Sequence, residues 1–229
     1  VTLTEQNYIK RVPLDVYRQQ KRGGRGVTGM ATKEEDVVDK VFMASTHDYL
    51  LCFTNKGRAY WLRVYDIPEG SRTAKGKAIV NLLNLTDEDV SAVIPLRSFD
   101  SDKYFLYATK SGRIGKFSQD LFSRPRAGGI IGMTLLDGDE LVDVVMTNGK
   151  SDVVLTTAYG QSLRFSEEEV RATGRGSQGV IGIKMKYEED RVCGLTLVDE
   201  KAKYLFLLTD KGFGKRTLFD EFMGHGRAT

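Results

Sequence analysis

Short apolar, β-branched and aromatic runs recur along the chain at 49–54, 104–109, 153–157 and 204–209, and each ends on a Thr followed three residues later by Gly. With the first repeat included, the copies read Thr4-Glu5-Gln6-Asn7, Thr54-Asn55-Lys56-Gly57, Thr109-Lys110-Ser111-Gly112, Thr157-Ala158-Tyr159-Gly160 and Thr209-Asp210-Lys211-Gly212. Successive Thr residues lie 50, 55, 48 and 52 positions apart, the signature of a repeat architecture. Gly supplies the left-handed backbone that a tight hairpin needs, and Asn is the side chain that best tolerates it, so the fourth position predicts a turn. A second set of apolar runs, at 37–44, 90–96, 141–146 and 192–198, closes each unit. Both sets predict strands.

Past the turn each copy carries Arg11, Trp61, Lys116, Arg164 or Arg216, a basic residue in every copy but one. An acid follows the Thr by eleven or twelve residues, at Asp15, Asp66, Asp120, Glu168 and Asp220. Helix-start chemistry near these acids is clearest at Ser166-Glu167-Glu168-Glu169, where hydroxyl and carboxylate can cap each other's amides, and predicts a single helical turn per unit. A Gly-rich loop comes next, then a strand opening on Gly26-Val27-Thr28-Gly29-Met30, Ala78-Ile79-Val80-Asn81-Leu82, Gly129-Ile130-Ile131-Gly132-Met133 or Gly179-Val180-Ile181-Gly182-Ile183. Asn81 in place of Gly reads as the same backbone demand met twice. Three or four strands per unit suit an all-β radial array in which each blade covers its neighbour's apolar face. The expectation is a single domain over residues 1–229, with four full repeats and a partial fifth. Because the chain stops inside a Gly loop at Thr229, the disc is expected to continue past its C-terminus.

With 229 residues and 41% apolar content, the chain can bury a substantial core. No apolar stretch is long enough to span a bilayer, and no signal peptide opens the sequence. Cys52 and Cys193 fall in strands of different repeats and are read as reduced core residues of a cytosolic protein.

The net charge is only +3, but its distribution is uneven. Arg18 with Lys21, Arg22 and Arg25 places four positive charges and no acid around Gln20-Lys21-Arg22-Gly23-Gly24-Arg25-Gly26. The equivalent loops carry Arg72, Lys75 and Lys77, then Arg124 and Arg126, then Arg171 and Arg175. Acids collect at Glu34-Glu35-Asp36, Asp87-Glu88-Asp89, 137–140 and Glu188-Glu189-Asp190, about one strand later in each unit. This predicts a basic band separated from an acidic one. Glycines between the cations let backbone amides and guanidinium groups approach phosphate closely.

The segment 20–26 resembles the Q-R-R-G-G-K-G box of the DNA gyrase A C-terminal domain family. Asn7-Tyr8-Ile9-Lys10-Arg11-Val12 and Gly26-Val27-Thr28-Gly29-Met30 are also similar to that family's first blade, and the repeat extends the resemblance over the whole chain. Lys21 and Arg25 depart from the box by exchanging Arg and Lys, which keeps the charge and changes the donor geometry. The resemblance implies a six-bladed, propeller-like β-pinwheel with strands exchanged between blades. It implies double-stranded DNA wrapped around the rim, so that an ATP-dependent type II topoisomerase introduces negative supercoils. The box would fall on Gln20, Lys21, Arg22, Gly23, Gly24, Arg25 and Gly26, and the rim track on Arg18, Arg72, Lys75, Lys77, Arg124, Arg126 and Arg175. It implies as partners the gyrase A catalytic region and gyrase B, in an A2B2 assembly in the bacterial cytoplasm at the nucleoid, and no membrane. No catalytic centre and no cofactor are expected in this chain, with ATP and Mg placed elsewhere in the holoenzyme. A related topoisomerase IV type of domain, which binds DNA but wraps it little, is the nearest alternative.

Enzymatic readings have little support. Gly24-x-Gly26-x-x-Gly29 and Gly174-x-Gly176-x-x-Gly179 match the dinucleotide fingerprint, yet they recur at equivalent repeat positions and open no long helix. No GxxxxGK loop occurs, and the two histidines, His47 and His225, are too few for a metal site or triad. Trp61 could stack on a base but is read as packing. A kelch-like protein-binding propeller shares the repeat length, but its pattern calls for more than a single Trp.

Overall fold

The computed structural model describes residues 1–16, 30, 36–198, 201 and 203–228. Its strands are β1 (Thr2–Thr4), β2 (Tyr8–Lys10), β3 (Val38–Val41), β4 (Tyr49–Thr54), β5 (Arg58–Arg63), β6 (Lys77–Ala78), β7 (Val90–Leu96), β8 (Tyr104–Thr109) and β9 (Arg113–Ser118). They continue as β10 (Ile130–Ile131), β11 (Leu141–Thr147), β12 (Asp152–Thr157), β13 (Ser162–Ser166), β14 (Val180–Ile181), β15 (Val192–Val198), β16 (Tyr204–Leu208) and β17 (Gly214–Leu218). The sheet orders are β3-β1-β2-β6, β10-β5-β4-β7, β11-β8-β9-β14, β13-β12-β15 and β16-β17. Each sheet is one blade of an all-β, propeller-like pinwheel.

The hairpin at the heart of each blade follows from the Thr-x-x-Gly chemistry. Gly57, Gly112, Gly160 and Gly212 adopt φ of 78°, 86°, 86° and 79°, and Asn7 takes 61° in the remaining copy. In every copy the Thr hydroxyl accepts from the amide four residues on, at 3.1–3.3 Å. Thr54 Oγ1 also donates to the buried Glu88 carboxylate at 2.5 Å. A hydroxyl can accept and donate at once, which is why Thr recurs here.

The apolar runs of β4, β8 and β12 are continuous because both faces of these strands are covered. Leu50 and Cys52 pack with Leu3 and Ile9 of the preceding blade, while Leu51 and Phe53 pack with Phe105 and Phe117 of the next. Likewise Phe105 and Tyr107 face back, and Leu106 and Ala108 face forward onto Val153 and Leu155. Period-two alternation therefore sorts each strand's side chains between two inter-blade cores.

The fourth strand of each of the first three blades comes from the following repeat. Lys77 pairs with Ile9, Ile130 with Ala59 and Val180 with Ile114. This pairing corrects the alignment of the second repeat, because Gly76, not Ala78, corresponds to Gly129 and Gly179. All three have positive φ, at 76°, 67° and 68°. Asn81 is no substitute for a turn glycine: it ends the 3-10 turn Ile79–Asn81. The position of Gly132 and Gly182 is held by Ile79, whose amide bonds Asn7 O as theirs bond Gly57 O and Gly112 O.

Single 3-10 turns occur at Leu14–Val16, Val64–Asp66, Gln119–Phe122, Glu167–Glu169 and Phe219–Glu221, and they carry the five repeat acids. The capping box at Ser166 is only half made. Ser166 Oγ accepts from Glu168 N at 3.3 Å, but the Glu169 carboxylate instead accepts from Arg227 N at 2.8 Å.

One of the two cysteines differs from expectation. Cys52 is buried, but Cys193 is exposed, because it is the extra residue of a bulge in β15, between Val192 opposite Thr157 and Gly194 opposite Thr156. Burial raises the Cys52 thiol to about 12, so a thiol reagent at mildly alkaline pH should modify Cys193 in the native protein and Cys52 only on unfolding. Mass spectrometry of the two populations checks this.

Candidate nucleic-acid interface

Each of the three described basic loops leaves a 3-10 turn of its own unit and ends on the strand given to the preceding blade. The loops therefore span blade boundaries. Parallel bridges Arg11–Glu69, Lys116–Ala172 and Arg164–Gly224 fix where they start. Lys75, Lys77, Arg124, Arg126 and Arg175 are exposed and Arg72 is half-buried, so the described rim cations lie where a long polyanion can reach them. Arg18 and the box residues Gln20, Lys21, Arg22, Gly23, Gly24, Arg25 and Gly26 lie outside the described residues.

The repeat position read as basic with one exception has a different common property, an N–H donor. Arg11 Nε donates to Ile67 O at 2.8 Å, Trp61 Nε1 to Phe122 O at 3.0 Å, Lys116 Nζ to Glu167 O at 2.9 Å and Arg164 Nη1 to Phe219 O at 3.0 Å. In each case the acceptor is a carbonyl at the 3-10 turn of the next repeat, and the donor latches one blade to the next. Lys116, only 6% exposed, illustrates the cost of reading cations from composition alone. Arg216 in the fifth copy instead lies over the Tyr204 ring, 4.3 Å from its centroid. Trp61 is thus a regular member of the series. Trp61→Phe keeps an aromatic ring and removes the donor, and should cost on the order of 1 to 3 kcal/mol in urea-induced unfolding.

A second donor set holds the loops from beneath. Lys10 is fully buried, and its Nζ donates to Ser71 O at 3.1 Å and Arg72 O at 2.5 Å. Desolvation, with the Arg72 charge adding to it, lowers its pKa below the ordinary lysine value. Arg58 Nη2 donates to Gly128 O at 2.5 Å. Arg113 grips two successive carbonyls, Gln178 O through Nε and Gly179 O through Nη2, both at 2.8 Å.

In each acidic cluster one carboxylate is held by hydrogen bonds of its own blade. Glu88 accepts from Thr54 Oγ1 and from Tyr60 OH at 2.6 Å, with Arg58 Nε 3.7 Å away. Asp36 accepts from Gln6 N, Asp139 from Ser111 N and Oγ, and Asp190 from Tyr159 N. One acid of each cluster is therefore tied to its hairpin. Arg58 links Glu88 to the end of the next basic loop.

Among the described residues, no group of three or more His, Cys, Asp or Glu side chains could hold a metal ion. Nor is any helix long and apolar enough to cross a membrane. Gly174, Gly176 and Gly179 lie in a loop that ends on a two-residue strand, which is not the helix N-terminus that a dinucleotide site requires.

The family described as DNA gyrase C-terminal domain, beta-propeller, matches the chain over residues 1–45, 48–97, 103–148, 151–198 and 203–229. The chain is 44% identical to the gyrase A protein of Salmonella typhimurium over 230 residues, covering 100% of this chain and 26% of that protein. Its fold is similar to a solved DNA gyrase A C-terminal domain, with TM-score 0.81 at 29% identity, covering 99% of this chain and 73% of that one. It is also similar to a C-terminal domain of DNA topoisomerase IV, with TM-score 0.79 at 30% identity, covering 99% and 69%. The chain spans about a quarter of the length of the curated relatives it matches.

Proposed function

Because the chain belongs to the family of DNA gyrase C-terminal β-propeller domains, we propose that it binds double-stranded DNA along its basic loops and bends it around the rim. The wrap would deliver a positive crossover to the gyrase A catalytic region, acting with gyrase B in an A2B2 holoenzyme in the bacterial cytoplasm. ATP and Mg would act in those other parts, and this chain would supply geometry, not chemistry.

The observation that carries this reading is the placement of the basic loops. Three described loops occupy the same position at successive blade boundaries, each offering exposed cations on a backbone tied to the blade before it. Phosphate contacts spread over several blades are what sustained bending needs, since one patch neutralises too few charges. The box at Gln20 to Gly26 would anchor the duplex, and the later loops would hold its curve.

The test is the linking-number change on nicked plasmid that is bound by this domain, sealed and deproteinised. A positive shift growing with protein concentration supports a chiral wrap. Binding without a shift supports the second reading, to which the topoisomerase IV likeness points: a domain that holds DNA without wrapping it.

A further inference from the structure

Resting on the reading above, we propose that Lys10, Arg58 and Arg113 are positioning residues of the interface, which hold the basic loops carbonyl-inward without themselves meeting phosphate. A phosphate nearing a loop is drawn to cations and amide N–H groups and repelled by the negative ends of carbonyl dipoles. Turning the carbonyls into the molecule removes the repelling groups from the face the phosphate meets.

The loop carrying Arg175 shows this most fully. Three consecutive carbonyls are taken up by the preceding blade: Ser177 O accepts from Tyr107 OH at 3.1 Å, and Gln178 O and Gly179 O accept from Arg113. In the loop carrying Arg124 and Arg126, Gly128 O accepts from Arg58, and Arg126 O from Gly129 N at 2.9 Å. In the loop carrying Arg72, Lys75 and Lys77, Ser71 O and Arg72 O converge on Lys10 Nζ.

The same outcome is reached from two repeat positions. Arg58 and Arg113 follow the repeat Thr by four residues, and Lys10 by six. Recurrence by different chemistry at successive boundaries argues that loop orientation is the property retained. The cations of this molecule thus divide in two. Lys75, Arg124, Arg126 and Arg175 are exposed on the loops, whereas the guanidinium groups of Arg58 and Arg113 and the ammonium of Lys10 are committed to carbonyls.

The two classes differ in salt dependence. Each cation that releases a counterion from duplex DNA contributes about 0.9 to the slope of log K against log salt. Binding of the 229-residue chain to a linear duplex is measured across a salt series, with thermal unfolding of each variant alongside. Arg175→Ala should reduce the slope by about 0.9. Arg113→Met should weaken binding roughly tenfold, the scale of coupling within one network, and leave the slope unchanged. Arg113→Lys, which keeps one of the two carbonyl bonds, should recover part of the loss. In a background with Arg171→Ala and Arg175→Ala, Arg113→Met should cost less than it does alone, because the cations it orients are gone and only the carbonyl and amide contribution remains. A slope reduced by about 0.9 in Arg113→Met would make Arg113 a phosphate contact and overturn the proposal. A full additional loss in the Arg171→Ala, Arg175→Ala background would overturn it as well. Wild-type binding that is absent or insensitive to salt would instead defeat the reading of the interface as a DNA site.

Discussion

Replacing Lys21, Arg22 and Arg25 together by Ala is expected to abolish the linking-number shift of sealed plasmid while leaving weak, salt-sensitive DNA binding. The expectation rests on an imbalance of magnitudes. Bending about 40 base pairs through a half-circle costs on the order of 10 kcal/mol for a smooth elastic rod. Non-specific phosphate contacts at physiological salt contribute only about 5 to 8 kcal/mol net, so a wrap needs contributions from several loops acting on one duplex. The segment Gln20 to Gly26 with Arg18 concentrates four cations without an acid, more than any later loop carries. Removing three of them leaves the exposed cations Lys75, Lys77, Arg124, Arg126 and Arg175, enough to attract DNA and too few to hold it curved. Agarose-resolved topoisomers and a salt-dependent binding series, run on the same variant, read the two effects separately. A variant that shifts linking number as the parent does would show that curvature is set elsewhere on the rim.

Much of the fold is legible in the sequence because its determinants are local. Thr54 and Gly57 specify a hairpin by a hydroxyl and a left-handed backbone within four residues, and the same chemistry recurs at four other sites. The strands around 49–54, 90–96, 104–109 and 192–198 announce themselves by composition. Their two-sided burial is legible too, since a run such as Leu50 to Phe53 without alternation needs apolar cover on both faces.

What the sequence hides is non-local. A two-residue strand such as Lys77–Ala78 has no propensity signal of its own, and exists because Ile9 and Tyr8 lie across from it. The misplaced alignment at Ala78 and Asn81 has the same cause, since only the pairing partner sets the register there. The latch series is hidden by residue type: Arg11, Trp61, Lys116 and Arg164 share an N–H and a destination, whereas counting charges divides them. Charge counting also assigns Lys10, Arg58 and Arg113 no role. Their distinguishing feature, which carbonyl each one reaches, lies 61 to 70 residues away along the chain. The box itself, Gln20 to Gly26, is legible only as sequence, since it lies outside the described residues.

Phe122→Ala should be among the most damaging truncations in the core, at about 3 to 5 kcal/mol for a fully buried aromatic. Phe122 ends the 3-10 turn Gln119–Phe122 and is fully buried. Its ring makes edge-on contacts with Phe53 of the preceding blade at 5.5 Å and with Phe105 of its own blade at 5.4 Å, and a tilted contact with Phe117 at 5.9 Å. Its carbonyl takes the Trp61 latch, so ring and backbone both join the same pair of blades. Alanine keeps the carbonyl and removes the ring, which isolates the aromatic contribution. In a repeat protein stability is carried largely by neighbour interfaces, so a loss here should lower the melting midpoint by roughly 10 °C. Phe206→Ala is the internal control: that ring is 63% exposed, and its loss should cost no more than about 0.5 kcal/mol. Combining Phe122→Ala with Trp61→Phe should cost less than the two changes in sum, because opening the boundary weakens the latch that Trp61 closes. Equal costs for Phe122→Ala and Phe206→Ala would mean that the two blades are held together by something other than this aromatic cluster.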